Sequence, residues 1–205
     1  MKRAYIVLSV LIFLFLLWQI GKDYNRPYLS YQKAYKRLLA KAGEGEPELA
    51  AFPFGARQSW IVGLSRVDRC ETCHLGVEDP RFRNAPAPFR AHPDADTHPV
   101  ENFGCTVCHG GQGLATSLED AHGPTENWSQ AIYHEDFLQK SCSLCHGETV
   151  GELAPVLSRG REVFYDWGCR GCHKVEGKER RKVGPPIRKI GEKVRVDWMY
   201  RWLRN

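Results

Sequence analysis

The chain has 205 residues and a formal net charge of +5, but its charges are divided unevenly. Residues 49–155 contain seven basic and fourteen acidic residues, a balance of −7, whereas residues 156–205 contain fourteen and six, a balance of +8. A basic run at 178–182, KERRK, sharpens the second balance. Such asymmetry can steer a complementary partner, although basic side chains can also simply solvate a small domain. Because the basic stretch lies in a segment that is predicted below to be exported, the pattern argues against nucleic-acid binding.

An apolar run at residues 4–20, AYIVLSVLIFLFLLWQI, follows Lys2 and Arg3. Its length is near the lower limit of about 17 residues for a transmembrane helix, and a cleavable signal peptide has the same charged start and apolar stretch. The following residues, WQIGKD at 18–23, contain no small-residue cleavage triplet. We therefore predict a retained signal anchor over residues 1–22, with Lys2 and Arg3 in the cytoplasm and the rest of the chain beyond the membrane.

The segment after the anchor, residues 23–48, predicts a helix and a linker. Pro27 can open the helix, since proline is tolerated at the first helical position. Tyr28, Tyr31 and Tyr35 recur at three- and four-residue spacings, which is typical of one face of an amphipathic helix. That face could pack on a partner subunit or lipid headgroups, or against the chain's own following domain. Residues 43–47 then break the pattern and indicate the linker.

Four copies of the motif C-x-x-C-H account for all eight cysteines of the chain. The motif attaches c-type haem: each thiol adds across a haem vinyl group, and the adjacent histidine ligates the iron. The copies are Cys70, Cys73 and His74; Cys105, Cys108 and His109; Cys142, Cys145 and His146; and Cys169, Cys172 and His173. The sequence therefore predicts four covalently bound c-type haems.

Two other interpretations of these cysteines fit the pattern less well. Two C-x-x-C pairs can make a zinc site, but tetrahedral zinc gives no reason for a histidine after every second cysteine. Redox-active pairs of the thioredoxin type need a βαβ context that the sequence does not show. Disulfides within C-x-x-C would close very small, strained loops.

The chain beyond residue 49 is rich in glycine and proline and shows no convincing strands. We expect a mainly α fold with extensive irregular structure, wrapped around haems whose apolar faces form much of the core. The predicted domains are a trihaem domain over residues 49–155 and a monohaem domain over residues 156–205. An apo chain should accordingly be largely unfolded.

Four histidines lie outside the motifs, one for each haem: His92, His98, His122 and His134. A second axial histidine fills the last iron position, which favours reversible electron transfer over substrate binding. The sequence alone does not pair these distal candidates with particular haems.

The last domain resembles the small class I cytochrome c domain. The resemblance rests on RGREVF at 159–164, the last C-x-x-C-H motif, GPPI at 184–187 and a helix-like segment at 196–203 in which Trp198 and Trp202 share a face. It implies a small all-α domain in which the Pro185 carbonyl supports His173. It also implies a distal methionine on a loop after the last helix, but the sequence ends at Asn205, before such a loop. The alternatives are Met199, His134, an open iron, a ligand from elsewhere or a sequence cut short, and we favour the last two.

Residues 24–146 resemble membrane-anchored multihaem c-type cytochromes associated with bacterial cytochrome bc-type, quinol-oxidising complexes. The resemblance rests on the Tyr31-Gln32 pair, DPRF at 79–82, NAP at 84–86, PFRAHP at 88–93, HPVENFGCTVCHGGQG at 98–113 and AHG at 121–123. His92, His98 and His122 lie within these blocks and His134 does not, so the first three are the preferred distal ligands.

This resemblance implies a non-enzymatic electron carrier in the cytoplasmic membrane, with its haem domains on the periplasmic or extracellular side. Its donor would be a cytochrome b and Rieske-type membrane complex, and a soluble redox partner could accept the electrons. The alternatives are a multihaem reductase with an open fourth haem near Lys174, Arg180 and Arg181, and a subunit of an extracellular cytochrome filament.

Overall fold

The computed structural model describes residues 2–93, 96–147, 151–175 and 182–204, without the side chain of Glu192. This part of the chain is mainly helical, as predicted. Wrapping around haems and a class I cytochrome fold stay predictions. The basic run at 178–182, with Arg180 and Arg181, lies outside the described residues apart from Lys182.

The first helix, α1, spans Lys2–Tyr24 and none of its residues is buried in the fold. Its 23 residues correspond to about 35 Å, enough to cross the hydrocarbon core of a bilayer. An 18-residue window here has a mean hydropathy of 2.3. The predicted apolar helix is therefore confirmed, and by length and composition it can be a membrane anchor or a signal sequence.

Helix α2, Tyr28–Lys41, packs against the chain's own domain. Its Tyr35 is buried with Leu75, Phe82 and Phe89, and the Tyr35 ring centroid lies 5.1 Å from that of Phe82 and 5.8 Å from that of Phe89. Since Leu75 directly follows the first motif, this small aromatic core fixes that motif against α2.

A short hairpin precedes the first motif, where the sequence showed no convincing strand. Strands β1, Ser59–Ile61, and β2, Arg66–Asp68, pair antiparallel with Ser59 opposite Asp68. The expectation of no strands was wrong because strands of three residues are too short to show alternation. The hairpin ends at Asp68, two residues before Cys70.

The remaining helices are short, and several are single turns. They are α3 Glu46–Ala50, α4 Val100–Phe103, α5 Thr106–His109, α6 Leu118–His122, α7 Glu135–Leu138, α8 Ser143–His146, α9 Pro155–Asp166, α10 Cys169–Cys172, α11 Ile190–Lys193 and α12 Val196–Arg204. Single 3-10 turns lie at Val62–Leu64, Cys70–Thr72, Pro80–Phe82, Gln139–Cys142 and Gly151–Leu153.

The chain divides into two compact units, Met1–Leu138 and Gln139–Asn205. The first unit contains the first two C-x-x-C-H motifs, and the second contains the last two. The third motif thus lies in the same compact unit as the fourth, whereas the sequence analysis grouped it with the first two. The predicted domain bounds themselves stay a prediction.

Candidate haem-binding sites

Each C-x-x-C-H motif folds around a single helical turn. The turns are the 3-10 segment Cys70–Thr72, α5, α8 and α10. The histidine N–H donates to the carbonyl of the motif's first cysteine in motifs 1, 2 and 4, at 2.9, 2.9 and 3.0 Å. In these three motifs the hydrogen bond closes the turn and holds the histidine beside the first cysteine along the backbone. None of the eight cysteines, all of which lie in the described residues, forms a disulfide.

Two motif histidines face histidines from outside the motifs. The ring centroids of His74 and His122 are 6.1 Å apart with planes at 37°, and those of His109 and His92 are 6.0 Å apart with planes at 87°. A metal–imidazole bond is about 2.0–2.1 Å and the ring centre lies roughly 1.1 Å behind the bonded nitrogen, so two imidazoles on opposite sides of one ion have centres about 6.3 Å apart. The centroid spacing of both pairs is close to that of two imidazoles on one iron.

The electrostatics of these pairs favour neutral imidazole, the form that ligates iron. Burial lowers the pKa of His74, and the neighbouring His122 and His109 add to the effect. Burial and His92 also lower the pKa of His109, against a smaller upward effect of the Asp68 carboxylate. For His74 and His109 the lowered pKa favours the neutral imidazole, which has a lone pair that can bind a metal.

Backbone hydrogen bonds hold α6, which carries His122, against the segment that follows the second motif. The N–H of Gln112 donates to Ala121 at 2.9 Å, and the N–H of Ile132 donates to the carbonyl of His122 at 2.9 Å. Gly111 has a φ of +74°, and a Cβ there would lie 2.5 Å from the Ala121 oxygen. Only glycine allows this approach, so the GG pair after the second motif fixes the helix that carries His122.

His92 is placed by the loop that follows the aromatic core. Its N–H donates to the Val77 carbonyl at 2.8 Å, and the N–H of Ala91 donates to Phe82 at 3.1 Å. Phe82 and Phe89, which precede His92 in this loop, are both buried and anchor it to the aromatic core. These contacts fix the backbone at His92, whose ring centroid lies 6.0 Å from that of His109 in the second motif.

The buried side-chain amide of Gln32 hydrogen-bonds to the backbone of the first motif. The Gln32 side chain is 0% exposed, and its Nε2 donates to the carbonyls of Gly55 at 2.6 Å and Thr72 at 3.1 Å. Its Oε1 accepts from the N–H of Gly55 at 2.9 Å. Thr72 in turn accepts from the N–H of Arg57 and donates to its carbonyl, both at 3.0 Å. Helix α2 and the loop before β1 thus fix Thr72, which lies between Cys70 and Cys73.

One buried carboxylate connects the first two motifs. Asp68, 4% exposed, accepts hydrogen bonds from the N–H groups of Cys70 at 3.2 Å, Cys105 at 2.8 Å and Thr106 at 2.8 Å. Burial raises the pKa of Asp68, but these hydrogen bonds outweigh burial and hold its pKa below the ordinary value. A hydrogen bond with the Cys105 thiol, then burial, raise the pKa of the Cys70 thiol.

The fourth motif contains the backbone contact that the class I resemblance implies. His173 Nδ1 lies 2.8 Å from the carbonyl oxygen of Pro185. Because a carbonyl only accepts, Nδ1 carries the proton and Nε2 is left as the metal-binding nitrogen. The N–H of Gly184 donates to Cys172 at 2.8 Å and so holds the proline loop against the motif.

The third motif is tied to α9, the helix that precedes the fourth motif. Gln139 Oε1 accepts from the N–H groups of Val156 at 2.8 Å and Leu157 at 3.3 Å, in the first turn of α9. Arg161 donates to the carbonyl of Gly147, directly after His146, at 2.6 Å. Motifs 3 and 4 therefore share one scaffold.

The other predicted ligands lie in different settings. The His98 ring packs against Phe103 with centroids 5.1 Å apart, and His134 is 66% exposed with its Nδ1 3.1 Å from Asp136. Met199 is half-buried within α12, between Trp198 and Trp202, whose rings stack at 5.6 Å and 8°. The prediction that the two tryptophans share a face is confirmed.

Comparison with protein-family models, curated proteins and solved structures found no match for this chain. The sites above therefore stand on the chain's own residues and geometry. Sequence reasoning missed the role of Asp68, which no motif contains. It noted Gln32 only as part of a resemblance, without the buried amide contacts that make it structural.

Proposed function

We propose that the chain is a tetrahaem c-type cytochrome that transfers electrons. The observation that carries this proposal is that two successive C-x-x-C-H motifs each have a second imidazole beside the motif histidine, with ring centroids 6.1 and 6.0 Å apart. Motif spacing alone predicts attachment of haem. The facing histidines add the second axial ligand, which leaves these irons without a position for substrate.

In this proposal, cysteines attach the haems and histidines ligate the irons. Haem iron cycles between ferric and ferrous forms without bond-making in the protein, so the protein supplies attachment, ligation and burial. The eight motif cysteines form the thioethers, and the four motif histidines are the proximal ligands. His122 is the distal ligand at the first motif and His92 at the second. His173, oriented by Pro185, is the proximal ligand at the fourth.

Location and partners follow from the anchor and the family resemblance. With α1 retained in the membrane, Lys2 and Arg3 remain in the cytoplasm and the haem-bearing units lie on the periplasmic or extracellular side. This position suits electrons taken from a quinol-oxidising cytochrome b and Rieske-type complex and passed to a soluble or membrane acceptor. The basic balance of residues 156–205 would favour an acidic acceptor.

The test is the composition of the full-length protein, produced in a host that attaches c-type haem. We expect an intact mass that includes four haems, four irons and no zinc per chain, and haem that resists acid-acetone extraction. The oxidised spectrum should be dominated by low-spin haem. Two haems, or bound zinc in place of iron, would contradict the proposal.

A further inference from the structure

The first thiols of motifs 1 and 2 meet at one buried carboxylate. The Cys70 and Cys105 sulfurs and an oxygen of Asp68 all lie within 4.8 Å of one another. Asp68 comes from the end of β2, which the hairpin register fixes opposite Ser59. The turns of motifs 1 and 2 therefore meet at the end of β2, a strand that is part of neither motif.

The backbone on both sides of Asp68 is closely packed. Gly104, directly before Cys105, has a φ of +65°, and a Cβ there would lie 3.1 Å from both Asp68 Oδ2 and Ile61 Cγ1. On the other side, the N–H of Arg69 donates to the Gly113 carbonyl at 2.8 Å. These contacts hold the end of β2 next to the second motif, where Asp68 hydrogen-bonds to the turns of both motifs.

We propose that Asp68 is a positioning residue that sets the haems of motifs 1 and 2 edge to edge, as a coupled pair, and lowers the reduction potentials of both. This inference rests on the proposed function. Each first-cysteine sulfur becomes a thioether at one haem edge, so sulfurs in contact bring those two edges together. A buried negative charge at that point stabilises the ferric form of either haem, because the interaction between charges is strong where water is excluded.

The test compares Asp68→Asn with the unchanged holoprotein. Asparagine removes the negative charge and keeps one oxygen, which can still accept from Cys105 and Thr106, while the weaker bond from Cys70 at 3.2 Å is lost. We expect four attached haems, an unchanged low-spin spectrum and a shift of two of the four reduction potentials to more positive values. The matched control is Glu48→Gln, which removes an exposed carboxylate in α3 and should leave all four potentials unchanged. A shift of one haem only, or of none, would overturn the inference.

A second measurement leaves Asp68 in place, in case the variant loses haem. In His92→Ala, carbon monoxide should bind the motif-2 iron and hold it ferrous and diamagnetic while the other haems are reoxidised. We expect the electron paramagnetic resonance signal of the motif-1 haem to sharpen, because its paramagnetic neighbour has gone. An unchanged signal would show that the two haems are not coupled. Fewer than four haems in the unchanged protein would contradict the proposed function, whereas four haems without paired behaviour would contradict this inference alone.

Discussion

The side-chain amide of Gln32 in α2 donates to the carbonyl of Thr72, across 3.1 Å, and so joins α2 to the centre of the first C-x-x-C-H motif. The same side chain exchanges two hydrogen bonds with Gly55 and is fully buried. A buried amide that satisfies three backbone groups is a costly residue to lose. Helix α2 is therefore tied to the first C-x-x-C-H motif and is more than a spacer after α1.

We expect Gln32→Ala to destabilise the first unit. The change leaves the polar groups of Gly55 and Thr72 without their partner, at about 1–3 kcal/mol for each buried group left unpaired. The measurement is the free energy of unfolding of the holoprotein in urea, followed by circular dichroism. Lys33→Ala, at an exposed position of the same helix, is the control and should change stability by less than about 0.5 kcal/mol. Equal effects of the two variants would contradict this role of Gln32.

The two histidine pairs predict separate effects of His122→Ala and His92→Ala. Each variant should open one iron, so that carbon monoxide binds the reduced protein at one more haem than in the unchanged protein. Near-perpendicular imidazole planes give a highly anisotropic low-spin signal and more parallel planes a rhombic one. We therefore expect His92→Ala, at 87°, to remove the anisotropic signal and His122→Ala, at 37°, to remove the rhombic one.

His134→Ala is the control for both variants, since this histidine is exposed and close to Asp136. It should leave the signals of the motif-1 and motif-2 haems unchanged. If either His122→Ala or His92→Ala left every haem six-coordinate, the assigned pairing would be wrong for that site.

Features written in local sequence were predictable. The apolar run predicted α1, and the spacing of Trp198 and Trp202 predicted their stacked face because i and i+4 positions share one side of a helix. The support of His173 by Pro185 followed from the class I resemblance, whose motif includes both residues. In each case a short stretch of chain contains the whole signal.

Features that depend on distant segments were not predictable. The pairing of His122 with the first motif requires the chain to return past the second motif, which periodicity does not report. In the sequence, Asp68 looks like any acidic residue at the end of a strand. Only the folded hairpin and the close approach at Gly104 bring the turns of motifs 1 and 2 to its oxygens. Buried polar residues of this kind are recognised only by the backbone groups that they satisfy.

The anchor prediction concerns residues 1–22 and can be tested in isolated membranes. If α1 is retained, washing with high salt or carbonate should leave the protein in the bilayer, because a 23-residue apolar helix is held by its buried hydrocarbon surface. The mass of the N-terminal peptide provides the control. Release into the soluble fraction, with an N-terminus near Lys22, would show that the segment is a cleaved signal.

The haem of the fourth motif should differ from the others. Haems with two histidine ligands lack the methionine ligand that raises the reduction potential. Three of the four haems should therefore titrate at low potential as a group. If Met199 ligates the fourth iron, it should have the highest potential, and Met199→Leu should lower that potential and admit carbon monoxide. If the site is open, the unchanged protein should bind carbon monoxide at one haem in four. Four similar low potentials without carbon monoxide binding would contradict both outcomes and point to His134.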